Sequence, residues 1–313
     1  MKSTHSIDVN AVKASFDDIY VSADPRAYYS TLGSLDYAIP DLARPIIRQI
    51  ADAWRAQSGR SATILDIGAS YGINAALMRY PLTFDMIRRR YARREMLSLA
   101  TEDLQRLDRC YFQSWPRTRS ERMIGLDSSQ PALAYAEAVG LLDAGIAENF
   151  ERAAPSAGAC AMLEGVDIVV STGAVGYVTQ KTFAHIAAQP TRPPWIVSFV
   201  LRMVDYAPVT DRLARMGLMT EKLSSAAFLQ RRFRDAAEAA DVLDLLERRG
   251  VNAEGFEAEG LLFAELYVSR PPEAVAALPL DRMATIASGR NWMLGPRLLQ
   301  LWRNGRKEIM SAR

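Results

Sequence analysis

Histidine and cysteine are almost missing from this chain. It holds two of each in 313 residues, His5, His185, Cys110 and Cys160. Neither cysteine sits in a CxxC pair or near a histidine, so neither a disulfide framework nor a metal site is indicated. His5 lies in the terminal segment and His185 in the helical phrase KTFAHIAA, which leaves no histidine placed for acid and base catalysis. Charge bias is lacking as well: 38 basic and 36 acidic residues leave a net charge of +2, which gives no support for a polyanionic partner such as nucleic acid. No stretch reaches the roughly 18 uninterrupted apolar residues of a membrane helix. The first twenty residues carry Asp8, Asp17 and Asp18 where a signal peptide needs an apolar run. A cytoplasmic protein without a membrane partner is expected, and the sequence leaves its oligomeric state open.

What is present is ordinary core-forming material, 49% hydrophobic and 24% charged residues. Residues 1–45 mix Tyr20, Tyr28, Tyr29 and Tyr37 with Pro25, Pro40 and Pro45, which predicts short helices and turns packed on something else. A helix is expected from Ile46 to Gln57 in IIRQIADAWRAQ, and a buried strand in ATILDIG. Residues 80–121 are arginine-rich and helical in period, and read as an insertion of one or two helices. Arg88, Arg89, Arg90, Arg93 and Arg94 are balanced there by Asp85, Glu95, Glu102, Asp103 and Asp108, the pattern of a solvated helix face. Strand and helix then alternate through RMIGLD, QPALAYAEAVGLLD, AGIAENFE, VDIVVSTG, KTFAHIAAQ, PPWIVSFVLR and DAAEAADVLDLLERRG to LLFAELYVSR. Apolar strands buried on both faces indicate an α/β fold with a doubly wound, mainly parallel, Rossmann-like sheet of about seven strands. The expected organisation is an N-terminal helical lid (1–45), a binding domain (46–272) carrying the helical insertion, and a C-terminal helical extension (273–313).

In such a sheet, ligands sit beyond the carboxyl ends of the strands, which directs attention to TILDIGASYG, Thr63 to Gly72. A dinucleotide fingerprint would need glycines at 68, 70 and 73, and this chain has Gly68, Ser70 and Ile73; a phosphate loop would need a lysine after Gly72. What remains is Asp66-x-Gly68-x-Ser70-x-Gly72. This resembles the first motif of class I S-adenosylmethionine-dependent methyltransferases, acidic-x-Gly-x-Gly-x-Gly, with serine at the middle glycine. Serine is tolerable there provided its backbone need not take a positive φ. The resemblance continues in order: RMIGLDSS is similar to the family's second strand, AENFE to the end of the third, VDIVVSTGAVGYV to the fourth with its loop, and ELYVSR to a last strand that runs antiparallel. It spans roughly Pro45 to Arg270. Asp127 stands 61 positions beyond Asp66, an excess over the usual spacing of about 20 that the insertion accounts for.

The resemblance implies S-adenosylmethionine as cofactor and transfer of its methyl group to an acceptor. It places Asp127, with Ser128, at the ribose hydroxyls and Asn149 at the adenine edge. Gly68, Ser70, Tyr71 and Gly72 fall near the methionine end, with Asp66 holding the loop or receiving the ammonium, and Thr172 and Gly173 near the transferred methyl. With no metal cluster and no cysteine nucleophile, the acceptor is expected to be a small molecule, of the kind met in secondary metabolism. Candidate catalytic side chains are Tyr71 inside the turn, Tyr177 after the fourth strand, Asp205 after the fifth, and Tyr29 in the segment expected to close over the site. The product would be S-adenosylhomocysteine. A rarer use of such folds, in azetidine-2-carboxylate synthases, cyclises the cofactor itself and releases methylthioadenosine; many tyrosines and few titratable groups suit that alternative. A non-catalytic protein that kept the fold is the third.

Overall fold

The structure, a computed structural model, describes residues 17–286 and the backbone of three further strands near the C-terminus. The six expected strands form and share one sheet with two more: β1 (Thr63–Ile67), β2 (Arg122–Leu126), β3 (Ala144–Ile146), β4 (Ile168–Thr172), β5 (Trp195–Leu201), β6 (Met219–Lys222), β7 (Phe228–Arg232) and β8 (Leu261–Arg270), of which β6 and β7 are the additions. Their order is β3-β2-β1-β4-β5-β8-β6, with β7 also on β8. The first five run parallel, and β8 is antiparallel to β5. β6 pairs with the carboxyl half of β8 and β7 with its amino half, so eight strands fill seven positions. The phrase MTEKLSSAAFLQRRF, which shows little periodicity, thus forms two strands whose pairing is decided by β8.

Alternation along the strands sorts the side chains into two layers. Ile64, Ile168, Val170, Val197, Phe199, Leu266 and Val268 face one core, together with Ile46, Ile47 and Ile50 of the helix Ile39–Ser58. Leu65, Ile67, Val169, Ile196 and Val200 face the other, beneath the helices Gln180–Ala187, Ala207–Ala214 and Ala236–Arg248. Burial on both faces is what the near-continuous apolar strands require.

Four expectations change. The helix expected to start at Ile46 starts at Ile39 and runs through Pro45, so residue 45 is not a boundary between lid and domain. Pro40 sits in the first turn, where a missing N–H costs nothing, and Pro45 removes a single bond from a helix of 20 residues held by its buried face. The insertion contains three helices, Phe84–Tyr91, Arg94–Leu97 and Thr101–Gln113. Its arginine face is only partly solvated, because Arg90 donates to the fully buried Asp108 through Nε (3.1 Å) and Nη2 (2.8 Å). The tail after Pro272 has two short helices and then β9 (Asn291–Met293), β10 (Leu298–Arg303) and β11 (Arg306–Ser311), an antiparallel sheet rather than a helical extension. The overlooked signal is Asn304-Gly305, a dipeptide that favours two-residue hairpins.

Candidate functional site

A cavity of about 590 Å³ lies beyond the carboxyl ends of β1, β2, β3 and β4, within the range of small-molecule sites. β1 ends in Ile67, and the chain turns through Gly68 at φ 73 and Ser70 at φ 47. Serine therefore takes the left-handed conformation, so the proviso under which the sequence tolerated it is not met. That conformation aims the Ser70 amide at Asp127 Oδ2, 2.9 Å away, a charge-assisted bond that offsets a strain of about 1–2 kcal/mol. Asp127 Oδ1 accepts from the Ser129 amide at 2.9 Å. Each oxygen thus takes one backbone donor and keeps a lone pair beside the cavity. Burial raises the Asp127 pKa, and the amides of Ser129, Ser70 and Ser128 oppose that rise.

Of the residues singled out from sequence, Gly68, Ser70, Asp127, Ser128, Asn149, Thr172, Gly173 and Tyr177 line this cavity. Asp66 stands behind the wall, 1% exposed, with Oδ1 accepting from Asn74 Nδ2 (2.9 Å) and Oδ2 buried without a partner. Burial pushes its pKa up to about 7. Asn74 also donates to Thr172 Oγ1 (2.9 Å), joining the β1 turn to the end of β4.

Four sequence candidates lie elsewhere. Gly72 caps the helix Ile73–Arg79 at φ 76, and a Cβ there would meet Leu141 and Ala136, so this glycine serves packing between helices. Tyr71 turns away from the cavity, its ring buried between Tyr28 and Tyr135 and its hydroxyl on the carbonyls of Ile19 and Ser22. Tyr29 is stacked on Tyr91 at 4.8 Å in the core under the N-terminal helices. Asp205 is exposed and accepts from the Ala207 amide at the start of a helix.

The sequence reading missed Asn74, Gln230 and Arg231, and left Tyr37 without a role; all four line the cavity. Pairing along β7 slips between Leu229 and Arg231, which makes Gln230 an extra residue in the strand. A bulge suspends the usual alternation, and two successive side chains reach the same cavity. The Gln230 carbonyl accepts from the Ala38 amide (2.8 Å), tying the N-terminal helices to β7. Its side chain, 7% exposed, lies over Gly173, where a Cβ would come within 2.7 Å of Nε2. Arg231 is buried in a two-pronged pair with Glu238 (2.9 and 2.5 Å). No local sequence signal marks a bulge of this kind.

Tyr20, Tyr28, Tyr37 and Tyr177 form one side of the cavity. Burial raises the phenols of Tyr20 and Tyr28 far above the usual range and that of Tyr37 to about 12. These three are protonated donors at neutral pH rather than bases. Glu148 and Glu151 also line the cavity but are engaged: Glu148 accepts from Ser156 N and Oγ, and Glu151 from the amides and hydroxyls of Thr179 and Thr182 at a helix start. Among the described lining residues there is no histidine, lysine or cysteine. Among the described residues, no group of three or more His, Cys, Asp or Glu side chains is placed to hold a metal ion, and no helix is long and apolar enough to cross a membrane.

As the sequence resemblance implied, the strand ending in ELYVSR, β8, runs antiparallel, beside β5. The fold is a doubly wound, Rossmann-like α/β sheet. No family model and no curated protein matches the chain. Solved structures similar to it include a TehB-like SAM-dependent methyltransferase from Corynebacterium glutamicum, 14% identical, covering 71% of this chain and 88% of that one with a TM-score of 0.36. Magnesium protoporphyrin IX methyltransferase (ChlM) from Synechocystis PCC 6803 with bound SAM is 10% identical over 86% and 92% of the two chains, with a TM-score of 0.37. The plantazolicin methyltransferase BpumL in complex with SAH is 10% identical over 74% and 85%, with a TM-score of 0.35.

Proposed function

We propose that this chain binds S-adenosylmethionine and transfers its methyl group to a small-molecule acceptor. The observation that carries the reading is Asp127: a carboxylate at the end of β2, fixed by one amide on each oxygen and open to the cavity. Such a group suits a vicinal diol, which offers one donor to each remaining lone pair. The neighbouring wall supports the same ligand. Asn149, whose Oδ1 holds the Glu151 amide, presents its amide group at the end of β3 where an adenine edge would lie. Ser70 Oγ, on the cavity wall beside the glycine turn, is buried without a partner, a hydroxyl suited to the carboxylate of an amino acid. A sulfonium brings an already activated leaving group, so the chain is asked for positioning more than for acid or base chemistry. That requirement agrees with lining residues that hold protonated tyrosines and no histidine or lysine.

The tyrosine lining also supports a second reading, cyclisation of the cofactor within an aromatic enclosure that faces the sulfonium. Incubating the purified chain with S-adenosylmethionine and a fractionated small-molecule extract, followed by mass spectrometry, separates the two. Methyl transfer gives S-adenosylhomocysteine that depends on an extract fraction. Methylthioadenosine above the spontaneous background, formed without extract, overturns methyl transfer in favour of cyclisation. Calorimetry that finds no affinity for either nucleoside overturns both.

A further inference from the structure

The residue that sequence reading aimed at the reacting end of the ligand holds something else. Tyr71 directly follows Ser70, whose amide is fixed on Asp127. Its ring is wedged between Tyr28 and Tyr135, at centroid distances of 5.7 and 6.1 Å. Its single hydroxyl proton is shared between the carbonyls of Ile19 (3.0 Å) and Ser22 (2.8 Å). The carbonyl between them, that of Tyr20, accepts from Ser129 Oγ at 2.5 Å, and the Ser129 amide is the other donor to Asp127. Three carbonyls in four residues are thus gripped by two side chains, each belonging to a loop that also fixes Asp127.

These carbonyls lie at the C-terminal end of the helix Asp17–Tyr20 and in the bend after it. The last carbonyls of a helix have no partner within it, and outside donors complete them. The gripped segment matters to the site because Tyr20 and Val21 are part of the cavity wall, with Val21 60% exposed at the surface. Tyr20 O accepts at the backbone while its ring stands 5.8 Å from that of Tyr28, over the cavity.

We propose that Tyr71 is a positioning residue that fastens the strap from Ile19 to Ser22 to the cofactor turn, so that the release of bound nucleoside is limited by the Tyr71 hydroxyl acting through Tyr20. The inference rests on the S-adenosylmethionine reading. Stopped-flow and calorimetric measurements with S-adenosylhomocysteine on the full chain test it, alongside hydrogen exchange of residues 19–24. In Tyr71→Phe the ring packing stays and only the shared hydrogen bond goes. The dissociation rate should rise about 3- to 10-fold, as expected for one net hydrogen bond. The association rate and the thermal midpoint should be nearly unchanged, and exchange at 19–24 should be faster. Ser129→Ala, which releases the Tyr20 carbonyl, should raise the dissociation rate in the same direction. In a Tyr20→Ala background the Tyr71→Phe substitution should add nothing, because the coupled pair is not additive. An unchanged dissociation rate in Tyr71→Phe, or an equal acceleration with and without Tyr20, overturns the inference while leaving cofactor binding intact. A wild-type chain that does not bind S-adenosylhomocysteine instead overturns the reading on which it rests.

Discussion

Asp66 in β1 and Asp127 just after β2 are two carboxylates with opposite surroundings. Asp127 accepts from the backbone amides of Ser70 and Ser129 and faces the cavity, whereas Asp66 accepts from the Asn74 side chain and keeps a buried, unpartnered Oδ2. Asp127→Ala is expected to weaken S-adenosylhomocysteine binding by about 10- to 100-fold, the loss of one or two hydrogen bonds to a charged group; calorimetry that finds unchanged affinity would remove Asp127 from the site. For Asp66 the consequence is one of stability. Its folded pKa of about 7 lies above the ordinary carboxylate value of 3.8, so between about pH 4 and pH 7 the native state holds a proton that the unfolded chain has released. Stability from this group is therefore present at the acid end and is lost as pH rises through 7. Asp66→Asn should flatten that slope in urea unfolding measured from pH 4 to 8, and an unaltered slope would contradict the assignment. Both aspartates were legible in the sequence from their place at strand ends. Their difference was not, because it depends on Asn74, Ser70 and Ser129 arriving from three segments.

The insertion of residues 80–121 acquires a role at the level of elements. Its Met96, Leu97 and Leu99 carbonyls accept from Arg26 Nη1, at 3.2, 3.0 and 2.9 Å. Its Thr101 hydroxyl donates to Asp24 at 3.0 Å, and Tyr91 stacks on Tyr29. The insertion is thus the platform on which the helix Arg26–Ser34 rests beside the cavity. Within it, Asp108 is fully buried and accepts from Arg90, Tyr91 and Tyr135, the last from the helix after β2. Asp108→Ala would leave these donors buried and unpaired, at a cost of about 3–5 kcal/mol. Asp103→Ala, which removes an exposed pair with Arg106, should stay within about 0.5 kcal/mol. Chemical unfolding of both variants measures the contrast, and equal effects would show that the Asp108 cluster does not anchor the platform. The sequence showed a helical, charge-balanced insertion. Which of its charges would be buried was hidden, since Asp108 becomes a core residue only when Tyr91 and Tyr135 close over it.

The cavity wall draws on residues from Tyr20 to Arg231, and so belongs to the whole molecule rather than to one motif. If the strap, the β1 turn and the β7 bulge surround one ligand, adding S-adenosylhomocysteine should slow hydrogen exchange together at residues 19–22, 68–72, 127–129 and 230–232. The helix Ala236–Arg248, apart from its first turn beneath Arg231, should change little. Protection confined to 68–72 would show that the strap and the bulge lie outside the site. By itself the sequence determined the alternation of strand and helix, the position of the glycine turn and the acid at the end of β2, because local periodicity and strand-end chemistry are written in neighbouring residues. Tertiary structure alone decided that Tyr71 faces the strap, that Ser70 takes a positive φ, and that Gln230 enters the cavity. Each of these depends on a partner tens of positions away: Ile19 for Tyr71, Asp127 for Ser70, Leu262 and Phe263 for the β7 bulge.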